Sequence, residues 1–421
     1  WQQAMTHVEQ ALASDKRHLG ALSLQGVLCL QTGQNEAAVT CFERALAVQP
    51  GQASVHSNLG IALKRLGRFA EAIQRYEAAI ALKPDYAEAH YNRGLCMREL
   101  NQDEAAVESF GHAVALNPAY ADAHNNLGLA LQALGRFDAA CASFERAIAL
   151  RPDLEDAHSN LGVLLQRLGR HDAALACHDR AVAAAPTNAH AHYNRARTLQ
   201  ELQRPEQALA SYDQALALDP AHALALNNRG LVLQRLGRLE EALASFDAAI
   251  ARKPDYAEAH SNRGVLLQDL GRIEESIQSY DQAIALGAHH APIYSNRGNL
   301  LNRTGQLGES IASFDQALAQ QPDFAEGHWN KALALLLQGN YGEGWPLYEW
   351  RWRRDNFSSP KRNFTQPLWL GDTPIAGKTI LLHAEQGLGD TLQFCRYASQ
   401  VKALGARVVL EVQPALVGLM A

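Results

Sequence analysis

Small, aromatic and polar residues recur through residues 19–324 at intervals of 34. Prolines fall at 50, 84, 118, 152, 186, 220 and 254 and again at 322, with Ala288 in the one skipped place. Counting each unit from 31 residues before its proline gives repeats 19–52, 53–86, 87–120, 121–154, 155–188, 189–222, 223–256, 257–290 and 291–324. A fixed period of this length marks stacked supersecondary units, each too small to bury its own apolar face. Residues 1–18 read as the second helix of an earlier repeat, and 325–353 as a tenth, divergent one.

Each column of the repeat has a mechanical meaning. Position 8 is glycine in every repeat except at Ala196. Glycine inside a helix costs about 1 kcal/mol against alanine, so its recurrence predicts a neighbour too close for a side chain. Position 20 is alanine, or serine at Ser276 and Ser310, and position 27 is alanine from Ala45 to Ala317. Position 24 is Phe or Tyr, with His178 the exception. Small positions on one helix are thus expected to receive a ring from another. Glycine at position 15 turns the chain between two helices, and proline at position 32 ends the second.

This pattern resembles the tetratricopeptide repeat, over about residues 1–340. The fold class expected is mainly α: a right-handed α-solenoid of such repeats, followed by a partial α/β segment of Rossmann-like β-α-β type. Position 4 departs from the family's tryptophan, being His56, His90, His124, His158, His192, His260 and His328. Helices on neighbouring repeats pack about 8–10 Å apart, whereas a metal needs its ligands within about 2 Å. The column reads as packing or capping imidazoles, and no metal site is expected.

Position 6 is Asn58, Asn92, Asn126, Asn160, Asn194, Asn228, Asn262, Asn296 and Asn330, with Leu24 in the first repeat. Asparagine is a mediocre helix former. Its amide donates and accepts at once, matching a peptide unit. In the family the first helix of each hairpin lines the concave wall, which places these side chains in the groove. A ladder spaced by about 10 Å would meet an extended chain, rising about 3.3 Å per residue, at every third residue. Gln132, Gln166, Gln200, Gln234 and Gln268 at position 12 extend the amide face. The alternative is that these amides bond one another or cap adjacent helices. The superhelix also resembles the repeat domain of O-linked N-acetylglucosamine transferases and Spindly-type relatives, where asparagines at this position hold extended acceptor polypeptide; the resemblance implies the same role for these nine.

The register dissolves after Gly339. Residues 344–354, GWPLYEWRWRR, place Trp345, Tyr348 and Trp352 on one helical face, expected to cap the open end of the solenoid. Residues 355–377 read as a linker pinned by Phe357, Phe364 and Trp369. Then Thr379–His383 reads as a buried strand, Glu385–Asp390 as a glycine-containing turn, Thr391–Leu404 as a helix, and Arg407–Val412 as a second strand. The domain boundaries expected are 1–340 for the repeats, 341–377 for the cap and linker, and 378–421 for the β-α-β fragment. A dinucleotide fingerprint would need a third glycine where Leu392 stands, with Glu411 as its ribose acid, and no GK[ST] follows to make a P-loop.

LLHAEQGLGDTLQFCRYA, preceded by the repeats and YEWRW, resembles bacterial tetratricopeptide proteins that carry a heptosyltransferase-like glycosyltransferase with two Rossmann domains. That resemblance implies Asp390 as catalytic base or acceptor-orienting carboxylate, and Gly387 and Gly389 as a phosphate- or sugar-binding turn. The competing reading of Asp390 is a helix cap. The chain opens at Trp1 inside a repeat and closes after two strands, so further sequence is expected at both ends. This chain by itself is expected to be inactive and to hold no cofactor, a nucleotide sugar belonging to the longer parent.

Composition narrows the partners. The net charge is −6; from Tyr341 onward nine basic residues face seven acidic, so the tail is +2 and the repeats −8. An acidic repeat array is a poor nucleic-acid binder, since phosphate neutralisation supplies most of that affinity. No run of 18 apolar residues suggests a membrane span. Six cysteines without a CxxC pair read as buried apolar residues of a reducing, cytoplasmic compartment. The expected partner is a polypeptide in the groove, with end-to-end self-association, or a free-standing scaffold without catalysis, as the alternative.

Overall fold

The computed structural model describes residues 2–355, 357, 362, 364–385 and 387–420. Trp1, part of the expected linker, Gln386 of the expected turn, and Ala421 lie outside the described residues. The chain is mainly helical and falls into two units, 1–266 and 267–421.

In the first unit every repeat is a hairpin of a 13-residue first helix, such as Ala121–Ala133, and a 14-residue second helix, such as Phe137–Leu150. The rings of Phe42, Tyr76, Phe110, Phe144, Tyr212 and Phe246 are wholly buried, as are the alanines of columns 20 and 27. The ring sits against the column-8 glycine of its own hairpin. A Cβ on Gly26, Gly60, Gly94, Gly128 or Gly230 would stand 2.5–2.7 Å from the ring of Phe42, Tyr76, Phe110, Phe144 or Phe246. The glycine therefore lets the two helices approach, as its column predicts.

Both ends of the hairpin are set by backbone chemistry. Column 15 adopts the left-handed conformation, with φ of 72–77° at Gly33, Gly67, Gly135, Gly169 and Gly237. Asn101 and Gln203, which replace glycine there, keep it at 56° and 57°. The residue before each column-32 proline is extended, as at Gln49 and Lys83 with φ of −142° and −140°, because a following proline ring bars the helical conformation. The column-4 histidines lock the next turn. Nε2 of His56, His90, His124, His158, His192 and His260 meets the carbonyl of the preceding proline, from Pro50 to Pro254, at 2.8–3.2 Å. That carbonyl accepts, so Nε2 carries the proton, and the column is a set of capping imidazoles.

A second inter-repeat bridge runs along column 7. Nε of Arg195, Arg229 and Arg263 reaches Asp179, Asp213 and Asp247 of the preceding repeat at 2.6–2.7 Å. Nη1 of Arg195 and Arg229 also donates to Ser211 and Ser245 of its own repeat at 2.6 Å. In earlier repeats Leu127 and Leu161 hold this place.

The second unit continues the same chemistry. Tyr280 and Phe314 are wholly buried, Arg297 pairs with Asp281 and Lys331 with Asp315 at 2.5 Å, and Ser310 Oγ donates to the Gly298 carbonyl at 2.8 Å. Ala325–Gln338 ends at Gly339 with φ of 88°, and Tyr341–Tyr348 runs into a 3-10 turn, Glu349–Arg353. The residues that dock on Ala325–Gln338 differ from those expected. Trp350 stacks on His328 at 3.8 Å, and Arg354 lies 3.8 Å over Trp329 while bonding Glu326 at 2.7 Å. Trp345 is half exposed. The switch to a 3-10 turn after Tyr348 rotates the side chains out of the α-helical register that put Trp345, Tyr348 and Trp352 on one face.

Strands β1 (Thr379–His383) and β2 (Arg407–Glu411) pair in parallel, Thr379 opposite Arg407 and His383 opposite Glu411. The crossover is two short helices, Leu388–Phe394 and Tyr397–Ala403, instead of one continuous helix. Its core is Ile375, Val401 and Ala406, with Trp369, Ile380, Leu382 and Val408 against it. Leu392 and Tyr397, expected on the buried face, are about two-fifths exposed. A sheet of two strands is too small to cover both helices.

Candidate polypeptide-binding face

The column-6 asparagines lie on the first helix of each hairpin, and their amide nitrogens are occupied within the fold. Nδ2 of Asn126, Asn160, Asn194, Asn228 and Asn262 donates to the column-5 side chain one repeat earlier. The acceptors are Tyr91 Oη, Asn125 Oδ1, Ser159 Oγ, Tyr193 Oη and Asn227 Oδ1, at 3.2, 3.1, 3.3, 3.4 and 3.0 Å. These acceptors are mostly buried, so each bond replaces lost water and fixes one first helix against the next. Asn92 instead donates to the Glu88 carbonyl of its own helix at 3.0 Å, and Asn296 reaches Tyr280 Oη at 3.5 Å. Asn330 is buried with Nδ2 unpartnered. The Asn58 side chain makes no hydrogen bond with a described residue.

The carbonyl ends divide the ladder. Oδ1 of Asn92 accepts from Lys64 Nζ at 2.8 Å, and Oδ1 of Asn126 from Arg98 Nη1 at 3.3 Å. Lys64 and Arg98 stand at column 12, where later repeats carry glutamine. Burial lowers the pKa of the Lys64 ammonium below its ordinary value, yet its bond to Asn92 is the shorter of the two. Asn228 Oδ1 accepts from Asn227 Nδ2 at 3.3 Å. No described residue donates to Oδ1 of Asn160 or Asn194.

The column-12 glutamines are equally uneven. Gln200 Oε1 accepts from the Tyr212 hydroxyl at 3.1 Å. Oε1 of Gln132 and Gln268 is buried without a partner. Gln166 and Gln234 hold the same place on their helices. A cleft of about 330 Å³ opens where the ladder is free, among Ala121–Ala133, Glu155–Arg167 and Ala189–Glu201; its lining includes Gln132, Asn160 and Asn194 together with Glu155, Asp156, Asn188 and His190. Burial, and then the neighbouring Asp156 charge, raise the Glu155 carboxyl pKa, against a bond from Asn188.

The residues singled out after the repeats lie together on one exposed turn. Asp390 is exposed in the first turn of Leu388–Phe394, where the cap position is Gly387, and its carboxylate makes no hydrogen bond with a described residue. Gly387 and Gly389 are exposed beside it. The acid engaged at this turn is Glu385, which sequence reasoning passed over. Arg351 holds it through Nη2 and Nε at 2.8 and 3.1 Å, and also bonds Glu349 at 2.6 Å. Glu411 pairs with Arg362 at 2.5 Å, which holds its carboxyl below the usual range. Among the described residues no three His, Cys, Asp or Glu side chains gather to hold a metal, and no helix is long and apolar enough to cross a membrane.

Hairpins tied by glycine-ring contacts, proline-capping histidines and an amide ladder define a helical-repeat protein with a polar face along its first helices. Models described as tetratricopeptide repeat match residues 193–256 and 227–291, and 119–186 and 153–221; one described as TPR repeat matches 26–67, 62–97, 96–135 and 298–339. The chain belongs to the tetratricopeptide-repeat proteins. A 76-residue stretch is 36% identical to Protein FlbA of Caulobacter vibrioides, covering 18% of this chain and 13% of that protein's length. Among solved structures, MamA is 26% identical over 38% of this chain and 93% of its own, with a TM-score of 0.37. YrrB, titled a TPR protein with an unusual peptide-binding site, is 25% identical over 43% of this chain and 94% of its own, with a TM-score of 0.39.

Proposed function

We propose that this chain binds extended polypeptide along the amide-lined face of its first helices. The observation that carries the reading is the pair of unclaimed acceptors, Asn160 Oδ1 and Asn194 Oδ1, in the cleft of about 330 Å³. Their nitrogens are tied to Asn125 and Ser159, so the amides are held in place and present oxygen to a guest's backbone N–H. A grip on backbone alone recognises extension and not sequence.

We further propose the division into repeats to 340, cap and linker to 377, and a glycosyltransferase-like β-α-β fragment to 421, with the repeats selecting the acceptor. A parallel β-α-β unit with a glycine-containing turn supports this second part. In that setting Asp390 would orient or deprotonate an acceptor hydroxyl, Gly387 and Gly389 would face the donor, and a nucleotide sugar would be the co-substrate.

The test is fluorescence anisotropy with a fluorescein-labelled pool of random 12-residue peptides. Saturable binding is expected, weakened about tenfold by Asn160→Leu with Asn194→Leu, and left intact by Asn92→Leu, whose oxygen is already taken. Asn160→Asp with Asn194→Asp keeps the acceptors and is expected to keep binding. Equal affinity in all variants, with helicity unchanged by circular dichroism, would refute the reading.

A further inference from the structure

We infer that the cleft among Ala121–Ala133, Glu155–Arg167 and Ala189–Glu201 is a subsite for the cationic side chain, lysine or arginine, of a bound polypeptide. This rests on the polypeptide-binding reading and adds a side-chain preference to it.

The first ground is chemical. The lining is rich in acceptor-bearing residues: Asn160, Asn194, Gln132 and the acids Glu155 and Asp156. No lysine or arginine lines it. Asn194 is only 3% exposed, so its oxygen has little access to water beyond the cleft, and no described residue donates to it. Gln132 Oε1 is buried and unpartnered. Unpaired buried acceptors are costly, about 1–3 kcal/mol each by general experience, and persist where a ligand completes them. Neither Glu155 nor Asp156 forms an ion pair with a described cation, whereas Asp122, Asp179, Asp213 and Asp247 do.

The second ground is internal. The chain already places a cation at the equivalent point of two earlier repeats. Lys64 reaches Asn92 Oδ1, and Arg98 reaches Asn126 Oδ1, each from column 12 to the column-6 oxygen 28 residues on. In the next step of the same series the column-12 residue is Gln132 and the oxygen belongs to Asn160. The cation is withdrawn, its acceptor and the acid at position 2 (Glu88, Asp122, then Asp156) are kept, and one carboxylate, Glu155 in place of Ala87 and Ala121, is added. An incoming ammonium or guanidinium would restore the arrangement the fold uses one and two repeats before. Charge-assisted bonds to carboxylate and amide oxygen are about twice as strong as neutral ones, so this contact would add sequence preference to a grip that otherwise reads only backbone.

The test uses the full chain and two fluorescein-labelled peptide pools, random at eleven positions, with lysine or the isosteric neutral norleucine fixed at the centre. The lysine pool is expected to bind at least tenfold more tightly. Glu155→Gln with Asp156→Asn should erase that difference and leave norleucine binding unchanged. Asp138→Asn with Asp153→Asn, which removes the same charge elsewhere, should preserve it. Gln132→Lys should also erase it, by filling the cleft from within as Lys64 does. Equal, saturable binding of both pools by the native chain would overturn the cation subsite while the polypeptide reading stands. Absence of binding by either pool would overturn both. A preference that survives Glu155→Gln with Asp156→Asn, or falls equally in the charge-matched variant, would assign it to overall charge and overturn the inference.

Discussion

The imidazole of His178 occupies the ring socket above Gly162, where a Cβ would stand 2.5 Å from its Cε1. Every other repeat fills this socket with Phe or Tyr. The substitution keeps the shape and breaks the chemistry: both ring nitrogens are buried and unpartnered.

Burial pushes the His178 pKa down to about 4, against about 6.5 in an unfolded chain. Below pH 6.5 the unfolded chain takes up the proton first. The stability tied to this group is therefore complete above pH 6.5 and is lost as pH falls from there towards 4, by about 2 kcal/mol at pH 5. His178→Phe should raise the melting temperature at pH 7.5 by relieving the unmet nitrogens, worth about 1–3 kcal/mol. It should also melt with less dependence on pH between 7.5 and 5. Parallel losses in the two proteins would refute this assignment.

A Cβ on Gly128 would stand 2.6 Å from the Phe144 ring. Gly128→Ala gains about 1 kcal/mol of helix propensity but overpacks the hairpin by about 1–3 kcal/mol. A net loss of about 1 kcal/mol is expected in urea unfolding. Adding Phe144→Leu should recover part of it. The repeat with Ala196 tolerates alanine beneath Tyr212, whose hydroxyl is anchored on Gln200, so the hairpin can adjust and the penalty stays modest.

Gln203 holds φ of 57° where most repeats have glycine. A side chain in that conformation costs about 1–2 kcal/mol, part of which glycine returns through its greater unfolded-state entropy. Gln203→Gly should stabilise the chain by about 0.5–1 kcal/mol. Asn101→Gly should gain less, because asparagine tolerates the left-handed region. Differential scanning calorimetry of the two variants gives the ranking, and the reverse order would contradict it.

Arg351 is 7% exposed, bonded to Glu385 and Glu349 and lying 4.8 Å from the rings of Tyr348 and Trp352. Arg351→Met removes one partner of a largely buried pair and takes the guanidinium from Glu385, at a cost of about 2 kcal/mol or more. Faster limited proteolysis within residues 378–420 is expected, with the repeat helicity unchanged. Equal cleavage rates would show that this contact does not hold the β-α-β segment.

The repeat length, the glycine-ring contact and the proline-ended helices were legible because each is a one-residue rule repeated in every hairpin. Gly128 and Phe144 lie on helices of the same repeat, so their meeting needs no knowledge of neighbouring repeats. The amide ladder was legible only as a column. Whether Asn160 turns its nitrogen to Asn125 or to a guest depends on how two first helices are rotated, which periodicity does not specify. The division of the ladder needed columns 6 and 12 read together, Lys64 with Asn92 and Gln132 with Asn160. The Arg195–Asp179 bridge was present in the sequence as paired columns 7 and 25, but charge read as a net sum conceals it. Trp350 was missed because the switch to a 3-10 turn changes which aromatic faces inward.

The arginine-aspartate bridge bears on how the gene can change. From Asp179 to Asp281 the junctions carry the same cation and the same acid, and lysine takes the arginine's place only at Lys331 opposite Asp315. Excising residues 223–256 would bring Arg263 to Asp213, a pairing identical to the one it leaves. Copy number can therefore drift in this stretch by whole 34-residue steps, with no mismatched seam for selection to repair. Upstream, where Leu127 and Leu161 stand in the arginine's place, a transplanted copy would meet a neighbour built for a different contact, and the array length there is held by its own sequence.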